Sequence, residues 1–311
     1  MGLANTVGPP SARGEVETVD HSDRVVVVTG ATGRQGGAVA RRLLSEGWRV
    51  RALTRRPESR RARGLAALGA DVVGADMAVR ETLSRAFRDA YGVFSVQNPM
   101  ISGIEGEIQQ GRNVADAARE SGVRHLVYGS AGTGQRGTGI GSWESKLAVQ
   151  DHMQELGLPL TVLRPVAFME LMTDRGFLPP VSTWHLMPKL MGADRPVWWI
   201  GVDDLGAIAA RAFADPDRFI GSDLPLATDI RSIAECREIW REVTGRRPRS
   251  VPMPQWLFER FVGTDLTTMW RWLRTADIDV DPAQTRAILP TASGVREWLV
   301  HHRGAPSRRT S

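Results

Sequence analysis

Three regularly spaced glycines follow a run of four valines near the start of the chain. Residues 25–37 read VVVVTGATGRQGG, in which Gly30, Gly33 and Gly36 are each separated by two residues. Glycine lets the backbone turn tightly and approach a phosphate, and the helix that follows offers free N–H groups and the positive end of its dipole. The spacing therefore predicts a turn that holds the pyrophosphate of a dinucleotide.

Cations after the second predicted strand indicate which dinucleotide is bound. An NAD-binding unit places an acid there, which accepts hydrogen bonds from the ribose hydroxyls. Here Thr54 occupies that position, and Arg55 and Arg56 follow it. Arg34 in the glycine turn is a third cation. Guanidinium groups bind a phosphate through two hydrogen bonds, so this pattern favours NADP(H) over NAD. The alternative is that these arginines are solvated surface charges. Asp76, after the third predicted strand, is the candidate for contact with the adenine amino group.

Alternating strands and helices must position these residues. The predicted strands are residues 24–29, 49–53, 71–74, 91–96, 123–128 and 160–163, and the helices between them include 35–46, 79–89, 106–121 and 143–156. Such alternation requires right-handed crossovers and a parallel sheet covered on both faces. The fold class predicted is therefore α/β, a Rossmann-type doubly wound parallel sheet with the glycine turn after its first strand.

The alternation ends after residue 165, where helical patterns dominate. Predicted helices are 202–214, 230–244, 256–262, 265–275 and 294–302, with returning strands at 196–200 and 224–227. Eight of the ten tryptophans lie in this part, most as expected core residues and one or two as candidates to line an apolar pocket. The predicted organisation is a flexible leader (1–23), an NADP-binding Rossmann domain (24–165), a smaller, mostly helical substrate lobe (166–303) and a basic tail (304–311).

Composition narrows the class of protein further. The chain has 311 residues, 42% of them hydrophobic, and its single cysteine, Cys236, excludes an internal disulfide. No stretch is long and apolar enough for a membrane span or a secretory signal, so a cytoplasmic location is expected. The net charge is +5, but the basic residues are scattered among 35 acids, so no nucleic-acid partner is expected. No metal site is predicted.

Several motifs together resemble the NmrA-like proteins, which are atypical members of the short-chain dehydrogenase/reductase superfamily. They are TGATGRQGG, LTRRP, GADVVGADM, YGVFSVQN, WESKLAVQDHMQELGLPLTVLRPVAF, VDDLGAIAARAF and GSDLPLATDIRSIAECREIWREVTGR. The resemblance covers about residues 24–303. It implies an extended Rossmann domain that binds NADP(H), with a small C-terminal substrate lobe.

The resemblance also assigns roles to residues that match the family's motifs. It implies that the glycine turn with Arg34 and Gln35 holds the pyrophosphate, that Arg55 holds the 2′-phosphate, and that Lys146 bonds the nicotinamide ribose. The remaining matches are Asp76 and Met77 beside the adenine, Gln97 and Asn98 near the ribose and nicotinamide, and Pro165, Val166 and Phe168 bordering the substrate cleft. Many relatives carry Glu-Asn after this last stretch, whereas here Glu170 is followed by Leu171.

The catalytic residues depart from those of ordinary short-chain dehydrogenases. Those enzymes use Tyr-x-x-x-Lys, in which the tyrosine donates the proton and the lysine lowers the tyrosine's pKa. Lys146 is present, but Ser142 occupies the tyrosine position. Ser130 matches the superfamily's catalytic serine, and the alternative is that it is a turn serine. The candidate catalytic residues are thus Lys146, Ser130 and Ser142. Other possible proton donors, each with a structural alternative, are Glu144, His125 and His152.

Two functions fit these observations. The first is an NADPH-dependent reductase of a quinone, imine or enone, in which the cofactor does most of the chemistry and a weak donor supplies the proton. The tryptophan-rich lobe suits such an apolar, planar substrate. The second is a non-catalytic NADP(H)-sensing protein that regulates a partner protein. The resemblance supports this second function because some members of the family discriminate dinucleotides without turnover. Ser142 in the tyrosine position also supports it.

Overall fold

A seven-stranded parallel sheet organises the fold in this computed structural model, which describes residues 21–303. The strands of the chain are β1 (Val25–Val28), β2 (Arg49–Thr54), β3 (Asp71–Gly74), β4 (Gly92–Ser95), β5 (His125–Gly129), β6 (Leu160–Pro165), β7 (Ala167–Phe168), β8 (Trp198–Ile200), β9 (Asp223–Leu226) and β10 (Asp229–Ile230). The large sheet has the order β3-β2-β1-β4-β5-β6-β9. The strand order reverses between β1 and β4, which places the glycine turn at the switch point.

Thirteen α-helices connect and cover the strands over residues 21–303. They are α1 (Arg34–Ser45), α2 (Arg60–Ala66), α3 (Arg80–Ala86), α4 (Pro99–Glu120), α5 (Gly141–Glu155), α6 (Met187–Met191), α7 (Val202–Ala214), α8 (Pro216–Phe219), α9 (Ile233–Thr244), α10 (Gln255–Val262), α11 (Asp265–Leu273), α12 (Pro282–Ile288) and α13 (Val295–Arg303). Helices α3, α4 and α5 cover one face of the sheet, and α1 and α7 pack together on the other. None of these helices is long and apolar enough to cross a membrane.

The predicted Rossmann-type sheet is confirmed, and most predicted elements match the observed ones to within a few residues. One boundary is wrong: the helix predicted to begin at 106 begins at Pro99. Asn98 caps this helix by accepting a hydrogen bond from the Met100 amide. Gly103 then breaks it with φ 74° and ψ 171°, so α4 starts with a separate turn. Because Gly103 interrupts the helical periodicity, the sequence did not predict this turn.

The seventh strand of the sheet comes from beyond residue 165. Strand β9 pairs in parallel with β6, and Arg164 on β6 donates to both carboxylate oxygens of Asp223 at the start of β9, at 2.6 and 2.8 Å. Helix α7, from the same part of the chain, lies so close to α1 that a Cβ on Gly206 would fall 2.9 Å from the Ala38 carbonyl carbon. Residues of the predicted substrate lobe therefore complete the Rossmann sheet.

A second core holds the helical lobe together. It surrounds a small sheet of order β10-β8-β7, in which β8 pairs in parallel with β7 and antiparallel with β10. Five of the eight tryptophans in this part are buried: Trp184, Trp198, Trp199, Trp270 and Trp298. Trp256 is 67% exposed on α10. Residues 1–20 of the predicted leader and the predicted basic tail, 304–311, lie outside the described residues.

Candidate functional site

The glycine turn between β1 and α1 forms a close-packed cradle. Gly30 has φ +57°, a conformation that other residues rarely adopt. A Cβ on Gly36 would lie 2.5 Å from the Gly30 carbonyl oxygen, so only glycine fits there. Gly33 precedes α1, and among residues 21–303 no side chain caps the first amides of this helix. The turn thus presents unpaired N–H groups at the positive end of a helix, as an anion-binding site requires.

Two buried amide oxygens beside this turn fit a bound dinucleotide. Gln35 Oε1 and Gln97 Oε1 are buried and have no hydrogen-bond partner among the described residues. A buried acceptor without a partner costs free energy unless a ligand supplies the donor. A Cβ on Gly129 would lie 3.1 Å from Gln35 Oε1, which places this oxygen at the carboxyl end of β5. Hydroxyl and amide groups of a dinucleotide could donate to both oxygens.

Lys146 reaches the same edge of the sheet from α5. Its ammonium donates to the backbone carbonyl of Gln97 at 3.3 Å and to the carboxylate of Glu107 at 2.8 Å. The Lys146 side chain is 7% exposed and that of Glu107 is completely buried. Glu107 lies on α4, and the sequence interpretation missed it. One signal was available, since Glu107 shares the inward helical face of Gly111 and Val114.

The two candidate catalytic serines lie in different environments. Ser142 is partly exposed in the first turn of α5, one helical turn before Lys146, and its amide donates to Asp265 at 3.1 Å. Ser130 is fully buried after β5, and its hydroxyl accepts from Arg164 at 3.1 Å. Ser142 is therefore the more exposed of the two serines, whereas the Ser130 hydroxyl already has a structural partner.

The other possible proton donors have partners elsewhere. His125 lies at the start of β5, the edge opposite the glycine turn, and burial lowers its pKa to about 4. His152 pairs with Asp116 at 2.7 Å, and the carboxylate of Glu144 caps the backbone of Thr138. Nε2 of His125 lies 2.8 Å from the Thr161 hydroxyl, so each of the three residues has a structural contact.

Neither of the two tyrosines can replace the catalytic tyrosine, whose position Ser142 occupies. The Tyr128 ring is fully buried in β5, and its hydroxyl lies 3.4 Å from the backbone carbonyl of Lys146. Burial first, and then the nearby charge of Glu107, raises the pKa of Tyr128 well above its usual value. Tyr91 precedes β4 at the opposite edge, where its hydroxyl is 3.4 Å from the Phe213 carbonyl.

The predicted phosphate-binding arginines border the turn. Arg55 and Arg56 are exposed after β2. Arg61 on α2, which the sequence interpretation missed, donates to the Thr32 carbonyl in the glycine turn at 3.3 Å. Arg34 contacts the helical lobe, where its guanidinium donates to Asp174 at 2.5 Å and stacks on a phenylalanine ring, that of Phe177.

The residues predicted to lie beside the adenine and ribose belong to one connected set. Asp76 accepts from the Ala78 amide at 3.0 Å and so fixes the turn after β3. The sulfur of Met77 is 3.7 Å from the Gln97 side-chain nitrogen. The carboxyl ends of β3 and β4 are therefore linked, through Gln97, to Lys146.

Comparison with known proteins decides the family. A model of the NmrA-like family matches residues 22–299. The chain belongs to the NmrA-like family. The NmrA-like family domain-containing oxidoreductase FrzB of Cladobotryum sp is 30% identical over 259 residues, which is 75% of this chain and 77% of that protein.

Solved structures show that the fold is shared. NmrA, a negative transcriptional regulator, in complex with NADP has a TM-score of 0.72 at 18% identity over 91% of this chain and 98% of that one. NmrA has also been crystallised with NAD. The triphenylmethane reductase of Citrobacter sp, complexed with NADP(H), has a TM-score of 0.73 at 20% identity over 90% of this chain and 99% of that one.

In this NmrA-like chain, the backbone leaves the large sheet where the family resemblance places the substrate cleft. Pro165 ends β6, Val166 is half-buried, and Phe168 lies in β7 of the small sheet. Glu170 follows, and its carboxylate accepts from the first amide of α7, that of Val202, at 3.1 Å. Burial raises the pKa of Glu170 to about 7. Glu170 thus anchors α7.

A cavity of about 770 Å³ lies elsewhere in this NmrA-like chain, between α9 and α13. Charged side chains line it, and none of the predicted site residues is among them. Arg231 there pairs with Asp229 at 3.5 Å and with Glu235 at 3.7 Å. Because an apolar molecule there would remove these charged groups from water, the cavity does not suit an apolar acceptor.

Proposed function

We propose that this chain is an NADPH-dependent reductase that acts on an apolar, planar acceptor such as a quinone, an imine or an enone. The observation that carries the proposal is the position of Lys146. Its ammonium contacts the Gln97 carbonyl at the edge of the large sheet where the glycine turn also lies. Bound NADPH supplies a hydride, and the acceptor takes one proton from water or a weak donor. In this proposal, the buried ammonium of Lys146 orients the cofactor.

Cations around the turn support NADPH over NADH. Arg55 and Arg56 are exposed and lie at the end of β2, where a 2′-phosphate would arrive, and Arg61 reaches the turn from α2. Phosphate attracts guanidinium groups strongly, because the hydrogen bonds are paired and charge-assisted. The position of an NAD-selecting acid is taken by Thr54, whose hydroxyl caps the Arg56 amide instead.

Exposed apolar side chains beside the cofactor edge support an apolar acceptor. The separate first turn of α4 follows Asn98 directly, and it exposes Met100 by 58% and Ile101 by 68%. Ile104 lies after the break, 3.2 Å from where a Cβ on Gly141 would be, and so borders the start of α5. An apolar molecule that covers these side chains would gain their burial.

The alternative is a non-catalytic NADP(H)-sensing regulatory protein. One observation favours it: Ser142 occupies the position of the proton-donating tyrosine, and a serine hydroxyl is a poor acid. The NmrA regulator, which shares the fold, is an example of a family member with a regulatory role.

Stopped-flow NADPH oxidation with a panel of quinones, imines and enones tests the reductase. We expect turnover with at least one class and its loss in Lys146→Ala. Lys189→Ala is the matched control, because Lys189 is the only other lysine and is exposed on α6. Tight NADPH binding without turnover on any acceptor would refute the reductase, and turnover that depends on Lys146 would refute the pure sensor.

The cofactor preference has a separate test. Arg55→Ala should weaken the binding of NADPH much more than that of NADH, because only NADPH carries the 2′-phosphate. Arg42→Ala, in the last turn of α1, removes the same charge away from that position and should leave both affinities unchanged. Equal losses for the two cofactors in Arg55→Ala would show that the assignment to the 2′-phosphate is wrong.

A further inference from the structure

Glu107 is a buried carboxylate whose hydrogen bonds all point toward Lys146 and its neighbour. It lies on α4 and has no exposed surface. One of its oxygens, Oε1, accepts from the Lys146 ammonium at 2.8 Å, and the other accepts from the hydroxyl of Ser145. Both partners lie on α5. The carboxylate therefore connects two helices on the same face of the sheet at the lysine itself.

Such a pair is expensive to bury, so its position requires a reason. The free-energy cost of removing two charges from water can exceed what their mutual attraction returns. A hydrophobic pair of similar volume would often be as stable. The Lys146 ammonium has three N–H donors. Glu107 takes one and the Gln97 carbonyl takes a second, at 3.3 Å. No acceptor among residues 21–303 takes the third, which is therefore available to a ligand at the edge of the sheet.

We propose that Glu107 is a positioning residue that fixes the Lys146 ammonium so that its third N–H meets the nicotinamide ribose of the bound cofactor. The inference rests on the proposed function only in taking Lys146 as a cofactor contact, and it needs no turnover. Without the carboxylate, the flexible lysine side chain loses the only charged partner that the structure gives it within residues 21–303. The nicotinamide half of the cofactor then loses its hydrogen bond, whereas the adenine half keeps all of its contacts.

Comparing two ligands separates this role from a general structural one. NADPH contains the nicotinamide ribose, whereas 2′,5′-ADP contains only the adenine half with its 2′-phosphate. We expect Glu107→Gln to lower the affinity for NADPH about tenfold or more, which is the typical worth of a hydrogen bond to a charged group. The affinity for 2′,5′-ADP should stay within about twofold of wild type, because that ligand does not reach Lys146.

Four further variants sharpen the test. Lys146→Met should reproduce the loss of NADPH affinity, and adding Glu107→Gln to it should cause no further loss, because both act through one hydrogen bond. Ser145→Ala removes only the hydroxyl on the other carboxylate oxygen and should cost less than Glu107→Gln. If Glu107→Gln does not fold, Glu107→Asp replaces it, because this side chain retains the charge but is one methylene shorter. The affinity for NADPH should again fall while the affinity for 2′,5′-ADP stays unchanged.

Any of three outcomes would overturn the proposal. Folded Glu107 variants that bind NADPH as tightly as wild type would show that Lys146 needs no positioning. Equal losses for NADPH and 2′,5′-ADP would show a general structural role. Wild-type protein that binds neither ligand would refute the proposed function and this inference together, whereas binding without turnover would refute only the reductase.

Discussion

The ion pair between Arg34 and Asp174 makes a specific prediction about cofactor binding. Arg34 belongs to the glycine turn, yet it donates to Asp174 from the helical lobe at 2.5 Å. The hydrogen bond from Arg34 holds the pKa of Asp174 below its usual value, so this carboxylate is charged at neutral pH. A pyrophosphate that uses the same guanidinium must compete with the carboxylate. We therefore predict that Asp174→Asn tightens NADPH binding.

The exposure of the pair sets the size of the effect. The side chains are 41% and 33% exposed, so the pair is worth about 0.2–1 kcal/mol, as exposed ion pairs usually are. At about 1.4 kcal/mol per tenfold change, relieving this competition lowers the dissociation constant of NADPH by up to about fivefold. The gain should shrink in high salt, since exposed charges are screened.

Fluorescence titration of NADPH measures the effect. Asp174→Asn in an Arg34→Ala background should change nothing, because the competing guanidinium is already gone. Asp151→Asn is the control, because it breaks another exposed ion pair, between Asp151 on α5 and Arg136 before that helix. If Asp174→Asn weakens NADPH binding instead, the carboxylate orients Arg34 toward the phosphate and the reasoning is refuted.

Two predictions concern stability. Burial raises the pKa of Glu170 from 4.5 to about 7, so the folded protein binds this proton more tightly than the unfolded chain does. Between these pH values the free energy of unfolding therefore falls as pH rises, by about 3 kcal/mol at most. Urea denaturation at pH 5 and pH 8 should show a smaller fall in Glu170→Gln, and an unchanged fall would contradict the assignment. Gly36→Ala should abolish NADPH binding and cost about 1–3 kcal/mol, because its Cβ would lie 2.5 Å from the Gly30 carbonyl oxygen. Gly64→Ala, with open space around its Cβ on α2, is the control and should be neutral or slightly stabilising, as thermal denaturation would show.

The sequence predicted what depends on local pattern. Strand β3 was predicted at its observed bounds, residues 71–74, and α7 at 202–214, because buried strands and amphipathic helices carry their periodicity in a few consecutive residues. The parallel sheet followed from the alternation of these elements. The strand at 224–227 was also predicted, but its place beside β6 was not. That pairing is a backbone ladder between distant parts of the chain, and the contact of Arg164 with Asp223, 59 residues apart, adds to it.

The parts of the site that the sequence did not predict depend on distant partners. Arg34 and Asp174 are 140 residues apart, and no local spacing relates them. A glutamate in a helix is normally exposed, so Glu107 had no reason to stand out by itself. Its burial is explained by its partners on α5, above all by Lys146, which is 39 residues further along the chain. Buried charges require partners, and those partners come from the tertiary fold.

The same pair explains why one lysine persists in a chain whose cations are almost all arginine. Only Lys146 and Lys189 are lysines among 40 basic residues. The Lys146 ammonium lies between a carboxylate at 2.8 Å and a carbonyl at 3.3 Å on two different elements, α4 and the end of β4. A compact ammonium directs three donors from one point, whereas a planar guanidinium directs five in a wide fork. In this buried space an arginine would displace the Gln97 backbone or separate α4 from α5. The chemistry of the site therefore constrains the cation at this position, whereas the cations around the turn, which we propose bind phosphate, can all be arginine.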